Sequence, residues 1–244
     1  MYDLSKLSLL SFEIGDRCNL QHIHDKCPIN CRKYKNTERC LDTDTILDSI
    51  QMAKKLNFDG YIAFHYYNEP LLYLDRILEI INRAPNNKYL LWTNGLLLDR
   101  IPENNEFLSL FEYICITCYD PKNMPFFLRI KDIYKKVEIF DWELDDRLNA
   151  YDRPYCNKIS CKRILFEIPI DYYGNVHLCC VDWNNQFQVG NIFDKSLYDI
   201  VRSDVYQSIT KMSHKELIDE NCPDICKRCN AVWEKYQAIS PIEV

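Results

Sequence analysis

The sequence predicts an α/β protein: a partial (β/α) barrel of the TIM-like kind over residues 1–142, followed by a smaller domain with a β-hairpin and helices over residues 143–244. Three observations carry this. Apolar strand-like runs alternate with helical-period segments through the first part, the pattern of a parallel sheet built from βαβ units. Residues 1–142 hold about five such units, whereas a closed eight-unit barrel takes roughly 250 residues, so one side of the sheet is expected to stay open. After Trp142 the chain turns polar and rich in turn residues, and the alternation gives way to hairpin and short-helix signals.

The elements follow in order. LLSFEIG reads as the first strand. The segment Asp42–Leu56 opens on cap-type residues and places Ile46, Leu47, Ile50 and Ala53 at helical spacing, ending before Asn57 and Gly60. GYIAFHYY reads as the second strand, Asn68-Glu69-Pro70 interrupts it, and Leu71–Ala84 is an amphipathic helix. KYLLWTNG is a third strand ending at a glycine, ENNEFLSLF a short helix and EYICITCYD a fourth strand. FFLRIKDIYKK and VEIFDW supply one more helix and strand. In the second part, RILFEIPI and VHLCCVDW flank a YYGN turn and form a hairpin, SLYDIVRSDVYQSITKM is one helix, and a cysteine pair precedes a last helix over NAVWEKYQAI.

Composition narrows the function. With 36 acidic against 30 basic residues the net charge is −6, which gives no electrostatic footprint for DNA or RNA. No apolar run approaches the length of a membrane span, and the charged, short N-terminal run does not read as a signal peptide, so a cytoplasmic protein is expected. Thirteen cysteines are too many for a cytoplasmic chain that uses them only as small hydrophobes, and an odd number suits a disulfide framework poorly. Metal chemistry is the natural use.

The sharpest signal is the loop after the first strand, which carries Cys18, Cys27 and Cys31. Three thiolates from one loop can hold three corners of a 4Fe-4S cube and leave the fourth iron open to a small ligand. A zinc knuckle closed by His22 or His24 is the alternative reading, and Cys27-Cys31-Cys40 is a rival frame. Further along stand Asn68-Glu69-Pro70 past the second strand and Thr93-Asn94-Gly95 past the third. Each is weak alone, as a solvated helix start and a turn; their order is the signal.

On these residues the chain resembles the radical S-adenosylmethionine (SAM) enzymes. The resemblance implies a 4Fe-4S cluster on Cys18, Cys27 and Cys31 whose open iron chelates SAM. It also implies that Tyr67, Asn68 and Glu69 match the stretch that holds the SAM amino group, that Asn94 meets SAM from the third strand, and that Ile29 or His65 contacts the adenine. The loop departs from the family pattern, being C-x8-C-x3-C where C-x3-C-x2-C is usual, with Asn30 in place of the expected aromatic residue. Loop closure costs little for the added length.

The second part resembles the single-cluster twitch form of the SPASM extension. That likeness implies an auxiliary 4Fe-4S cluster on Cys161, Cys179, Cys226 and Cys229, with Cys180 and Cys222 as substitutes; spacing alone leaves a four-cysteine zinc site open. Neighbours on a strand point to opposite faces, so Cys179 and Cys180 are not expected to reach inward together. The resemblance further implies reductive cleavage of SAM to a 5′-deoxyadenosyl radical and oxidation of a small polar substrate, a sugar, cyclitol or nucleotide-linked sugar. A flavodoxin or ferredoxin is the implied electron donor, with no nucleic acid or membrane partner. Alternatives are an epimerase, with Cys118 as hydrogen donor, a ribosomal-peptide-modifying enzyme, for which no leader-binding domain is evident, and a non-catalytic Fe-S or zinc scaffold.

Overall fold

A computed structural model describes residues 3–31, 39–101, 106–134, 136–141, 148–155, 163–213 and 222–229. In chain order the elements are β1 (Leu9–Phe12), α1 (Thr43–Lys55), β2 (Tyr61–Ala63), α2 (Leu74–Arg83), β3 (Lys88–Thr93), β4 (Tyr113–Cys118), α3 (Met124–Ile133), β5 (Val137–Asp141), α4 (Arg163–Phe166), β6 (Glu167–Ile170), β7 (Asn175–Val176), β8 (Gly190–Asn191), α5 (Leu197–Val201), α6 (Asp204–Ser213) and α7 (Asp224–Arg228). Cys161 and the last helix expected over NAVWEKYQAI lie outside the described residues.

The strands form one open sheet in the order β5-β4-β3-β2-β1-β6-β7-β8. β1 to β5 pair in sequence order and in parallel, as the βαβ alternation requires. β6 then returns to the free side of β1, also in parallel, with Leu9 opposite Glu167 and Phe12 opposite Ile170. The sheet therefore runs across the boundary expected after Trp142. β7 and β8 add antiparallel edges through the YYGN turn, where Gly174 takes φ +80° and the preceding Asp171 carbonyl accepts its N–H.

The period-two alternation separates two faces. Leu10, Phe12, Ile62, Leu91, Ile114, Ile116 and Ile168 point into the main core, where they meet Ile46 and Ile50 of α1, Ile77 and Ile80 of α2, and Phe127 of α3. Leu9, Ala63, Leu90 and Cys115 line the opposite face with Trp92, Phe140 and Phe166 packed on them. Full burial of any one of these large apolar side chains contributes about 1.5–3 kcal/mol, so the helix-covered face holds most of the stability.

Local chemistry explains the boundaries. Asp42 caps α1 by accepting the Thr45 N–H at 2.8 Å. The expected single helix over residues 196–212 is two, because Ser203 breaks it: its hydroxyl donates to the Ile200 carbonyl and accepts the Tyr206 N–H, ending α5 and starting α6. Two strand expectations are also corrected. Residues Arg163–Phe166 are a helical turn, leaving only Glu167–Ile170 as strand, and VHLCCVDW pairs only at its first residue before folding into turns. The second change follows from His177, whose Nδ1 bonds the Asp182 carbonyl at 2.8 Å and draws the chain back on itself.

Candidate active site

The C-terminal ends of β1, β2 and β3 carry the three segments singled out in the sequence, and the sheet brings them together. The long cysteine loop folds as consecutive turns: Gln21 N–H donates to the Cys18 carbonyl, Cys27 N–H to His24 and Cys31 N–H to Pro28. Asn30 Nδ2 pins the loop by donating to the His24 carbonyl at 2.8 Å. This winding returns Cys27 to the neighbourhood of Cys18, and both side chains pack against Ile29, Tyr66 and Tyr67, as do Cys180 and Trp183. Cys31 follows one 3-10 turn later and is exposed. Cys40 instead packs against the main core, its backbone bridged to Gly15.

Burial raises the Cys18 thiol to about 12, and the nearby Glu69 and Cys27 push the same way. The Leu20 N–H, 3.4 Å from Cys18 Sγ, opposes this together with the Asn94 side-chain amide at 3.9 Å.

Glu69 is 2% exposed. Its Oε1 accepts the Thr93 hydroxyl at 2.6 Å and the Leu71 N–H at 3.1 Å, and its Oε2 accepts the Asn94 N–H at 2.9 Å. Burial raises its pKa although these three neutral donors favour the charged form. A carboxylate offers about four lone-pair positions, so one on Oε2 is left for a further donor, and an ammonium would bring the positive charge that the three neutral donors do not. Asn94 faces the cysteine loop, its Nδ2 donating to Asn19 Oδ1 at 2.7 Å. Gly95, at φ +75°, lets the strand end turn sharply here, and a Cβ at that position would stand 2.6 Å from the Phe127 ring. Asn68 accepts the Tyr66 N–H and donates to the Phe64 carbonyl, both at 3.1 Å, and so shapes the loop. The Tyr67 N–H donates to the fully buried Glu13 at 3.1 Å.

The second cysteine group lies in the turns after β7 and around α7. Cys179 is raised well above an ordinary thiol, first by burial and then by Cys180, Cys226 and Cys229 nearby; Arg163 acts in the opposite direction. Arg163 is held beside Glu167 of β6 at 3.8 Å. Cys179 thus shares its surroundings with Cys226 and Cys229, while Cys180 packs against the same Ile29, Tyr66 and Tyr67 side chains as Cys18 and Cys27. Because both residues sit in turns, strand alternation does not separate them. Among the described residues, no three His, Cys, Asp or Glu side chains converge closely enough to hold a single metal ion.

On the sheet face away from the helices, His65 lies 5.3 Å from the Trp92 ring, which stacks on Phe140 at 5.7 Å and donates its Nε1–H to Thr117 at 2.9 Å. Ile29 is buried against Tyr66 and Tyr67. Cys118 points the other way, fully buried in the helix-side core with its thiol on the Asp120 carbonyl. It is not presented to the face that carries His65 and Trp92.

Residues 161–230 match the SPASM family, an iron-sulfur cluster-binding domain. The chain is 26% identical over 246 residues to the S-adenosyl-L-methionine-dependent 2-deoxy-scyllo-inosamine dehydrogenase of Niallia circulans, covering 92% of this chain and 93% of that protein. Along nearly its whole length the chain is therefore similar to radical SAM enzymes. The fold of this chain matches the crystal structure of BtrN in complex with AdoMet and 2-DOIA, with TM-score 0.72, 24% identity and coverage of 93% and 94% of the two chains. It also matches BtrN in an open conformation, with TM-score 0.66 at 24% identity.

Sequence reasoning passed over four residues of this site. Thr93 was visible as the first residue of Thr93-Asn94-Gly95 but carried no role until its hydroxyl was seen on Glu69. Asn19 stands next to Cys18 and meets Asn94. Glu13 is an acid inside an apolar strand, a signal in itself, since such a carboxylate is buried only with partners. Tyr66, beside a residue already singled out, reaches the second cysteine group through its hydroxyl.

Proposed function

We propose that this chain is a radical SAM dehydrogenase that oxidises a small polar ring substrate, a sugar, cyclitol or nucleotide-linked sugar, with an aminocyclitol as the first to test. The observation that carries this is Glu69: a buried carboxylate held by three neutral donors, with acceptor capacity left, beside the cysteine loop. The donor set fits the cofactors, since Cys18 and Cys27 share one cluster of side chains with Cys31 one turn away, and the ammonium of SAM complements Glu69. The 4Fe-4S cluster would rest on Cys18, Cys27 and Cys31, with Glu69 on the SAM amino group, Asn94 beside it, and Ile29 or His65 toward the adenine. Cys161, Cys179, Cys226 and Cys229 would hold an auxiliary 4Fe-4S cluster.

When bound, a 4Fe-4S cluster and SAM supply hydrogen-atom abstraction from a carbon–hydrogen bond. The protein's part is to hold and shield. Tyr66, Tyr67 and Ile29 cover the cysteines with apolar surface, and Asn19 and Asn94 fix the loop against the third strand. Residues 1–142 and 143–244 serve as core and auxiliary-cluster part. The dehydrogenase likeness and the helix-side placement of Cys118 both favour oxidation over inversion by a thiol donor. The protein works in the cytoplasm with a flavodoxin or ferredoxin; no described helix is long and apolar enough to cross a membrane.

Anaerobic reconstitution followed by iron and sulfide counting, and an assay for 5′-deoxyadenosine and ketone with 2-deoxy-scyllo-inosamine and related cyclitols, test the reading. One 5′-deoxyadenosine per ketone is expected. SAM cleavage with solvent deuterium in an inverted product would replace oxidation by epimerisation, and no SAM cleavage would refute the enzyme.

A further inference from the structure

The loop that carries Glu69 also holds the second cysteine group. At one end it is rigid: Asn68 ties the Tyr66 N–H and the Phe64 carbonyl, Glu13 accepts the Tyr67 N–H, and Glu69 is tied to Thr93, Asn94 and Leu71. At the other end the phenols of Tyr66 and Tyr67 reach across to the turn that begins at Cys179. The Tyr66 hydroxyl lies 3.3 Å from the Cys179 carbonyl and 3.5 Å from that of Asp182, and the Tyr67 hydroxyl donates to the Cys180 carbonyl. The two rings are 4.3 Å apart, and Tyr66 also lies 4.9 Å from the ring of His177, which itself binds Asp182.

From this geometry we infer that Tyr66 and Tyr67 are positioning residues that couple occupancy of the Glu69 pocket to the conformation of the Cys179–Asp182 turn. The inference rests on the proposed function for what fills the pocket and what the turn holds. An ammonium drawn to Glu69 acts on a loop already tied at the Tyr66 and Tyr67 N–H groups, the Asn68 amide and the Glu69 carboxylate. Any shift is passed to carbonyls on and beside an auxiliary ligand, where hydrogen-bond geometry tunes a cluster. Such coupling is reciprocal: a settled turn favours SAM as much as SAM favours the settled turn.

The test compares wild-type holoenzyme with Tyr66→Phe/Tyr67→Phe, each with and without SAM. Two readouts apply: hydrogen–deuterium exchange of the peptide covering Cys179–Phe187, and the midpoint potential of the auxiliary cluster by electron paramagnetic resonance. In wild type, SAM is expected to slow exchange in that peptide severalfold and to shift the potential. In the double variant both responses should vanish at SAM concentrations that saturate each protein, with iron content kept. The single Tyr67→Phe variant, which keeps the Tyr66 contacts, should show an intermediate response and serves if the double variant does not fold. A SAM response retained in the double variant, undiminished in Tyr67→Phe, or absent in wild type overturns the coupling. Wild-type protein lacking auxiliary iron would count against the proposed cluster and not against the coupling, which the exchange measurement reads independently.

Discussion

The two cysteine groups are built on different plans. The first sits where parallel strands end: Cys18 and Cys27 come from one loop, Cys31 stays exposed, and a buried carboxylate stands beside them with acceptor capacity to spare. The second is assembled from turns after β7 and around α7, with thiol beside thiol and the Arg163 cation nearby. One arrangement leaves an acceptor position on Glu69; the other sets thiol beside thiol. The difference teaches where binding chemistry belongs: strand ends place backbone N–H groups and polar side chains toward one point, as at Glu69, whereas turns mainly gather thiols.

The sharpest way to break this comparison is to remove the first group. Replacing Cys18, Cys27 and Cys31 with Ala should eliminate about four irons and all SAM cleavage, while a 4Fe-4S absorption spectrum from the second group persists. Unchanged iron would sink the assignment. Cys179→Ala should do the reverse, lowering iron by about four while SAM cleavage without ketone formation continues; zinc found in the second group of anaerobically purified protein would contradict the auxiliary cluster.

A finer distinction comes from Glu69→Gln. If Oε2 receives an ammonium, SAM affinity measured by calorimetry should fall about tenfold or more with iron content kept, since a charge-assisted hydrogen bond is lost. Equal affinity would show that the carboxylate only braces Thr93 and Asn94. The smallest effect belongs to Cys118→Ala: a small loss in the helix-side core, about 1 kcal/mol in denaturant unfolding, with ketone formation unchanged. A dead Cys118→Ala enzyme would return the thiol to the chemistry.

Much was legible in the chain itself. Alternation gave the parallel strands, the Asp42 cap gave the start of α1, and the order of Cys18, Glu69 and Asn94 along successive strand ends pointed to three segments that the sheet brings together, because these features depend on residues close in sequence. Short-range rules failed where a distant partner or a single hydroxyl decided: Ser203 split a helix, and His177 folded a strand into turns. Tertiary structure alone settled that β6 returns to β1, that Cys118 faces the helices while His65 and Trp92 face away from them, and that Tyr66 and Tyr67 reach across more than a hundred residues to Cys179 and Cys180. A sequence fixes local geometry through dihedral preference and periodicity, whereas pairing between remote segments depends on which faces must be buried together, and that is decided only when the sheet assembles.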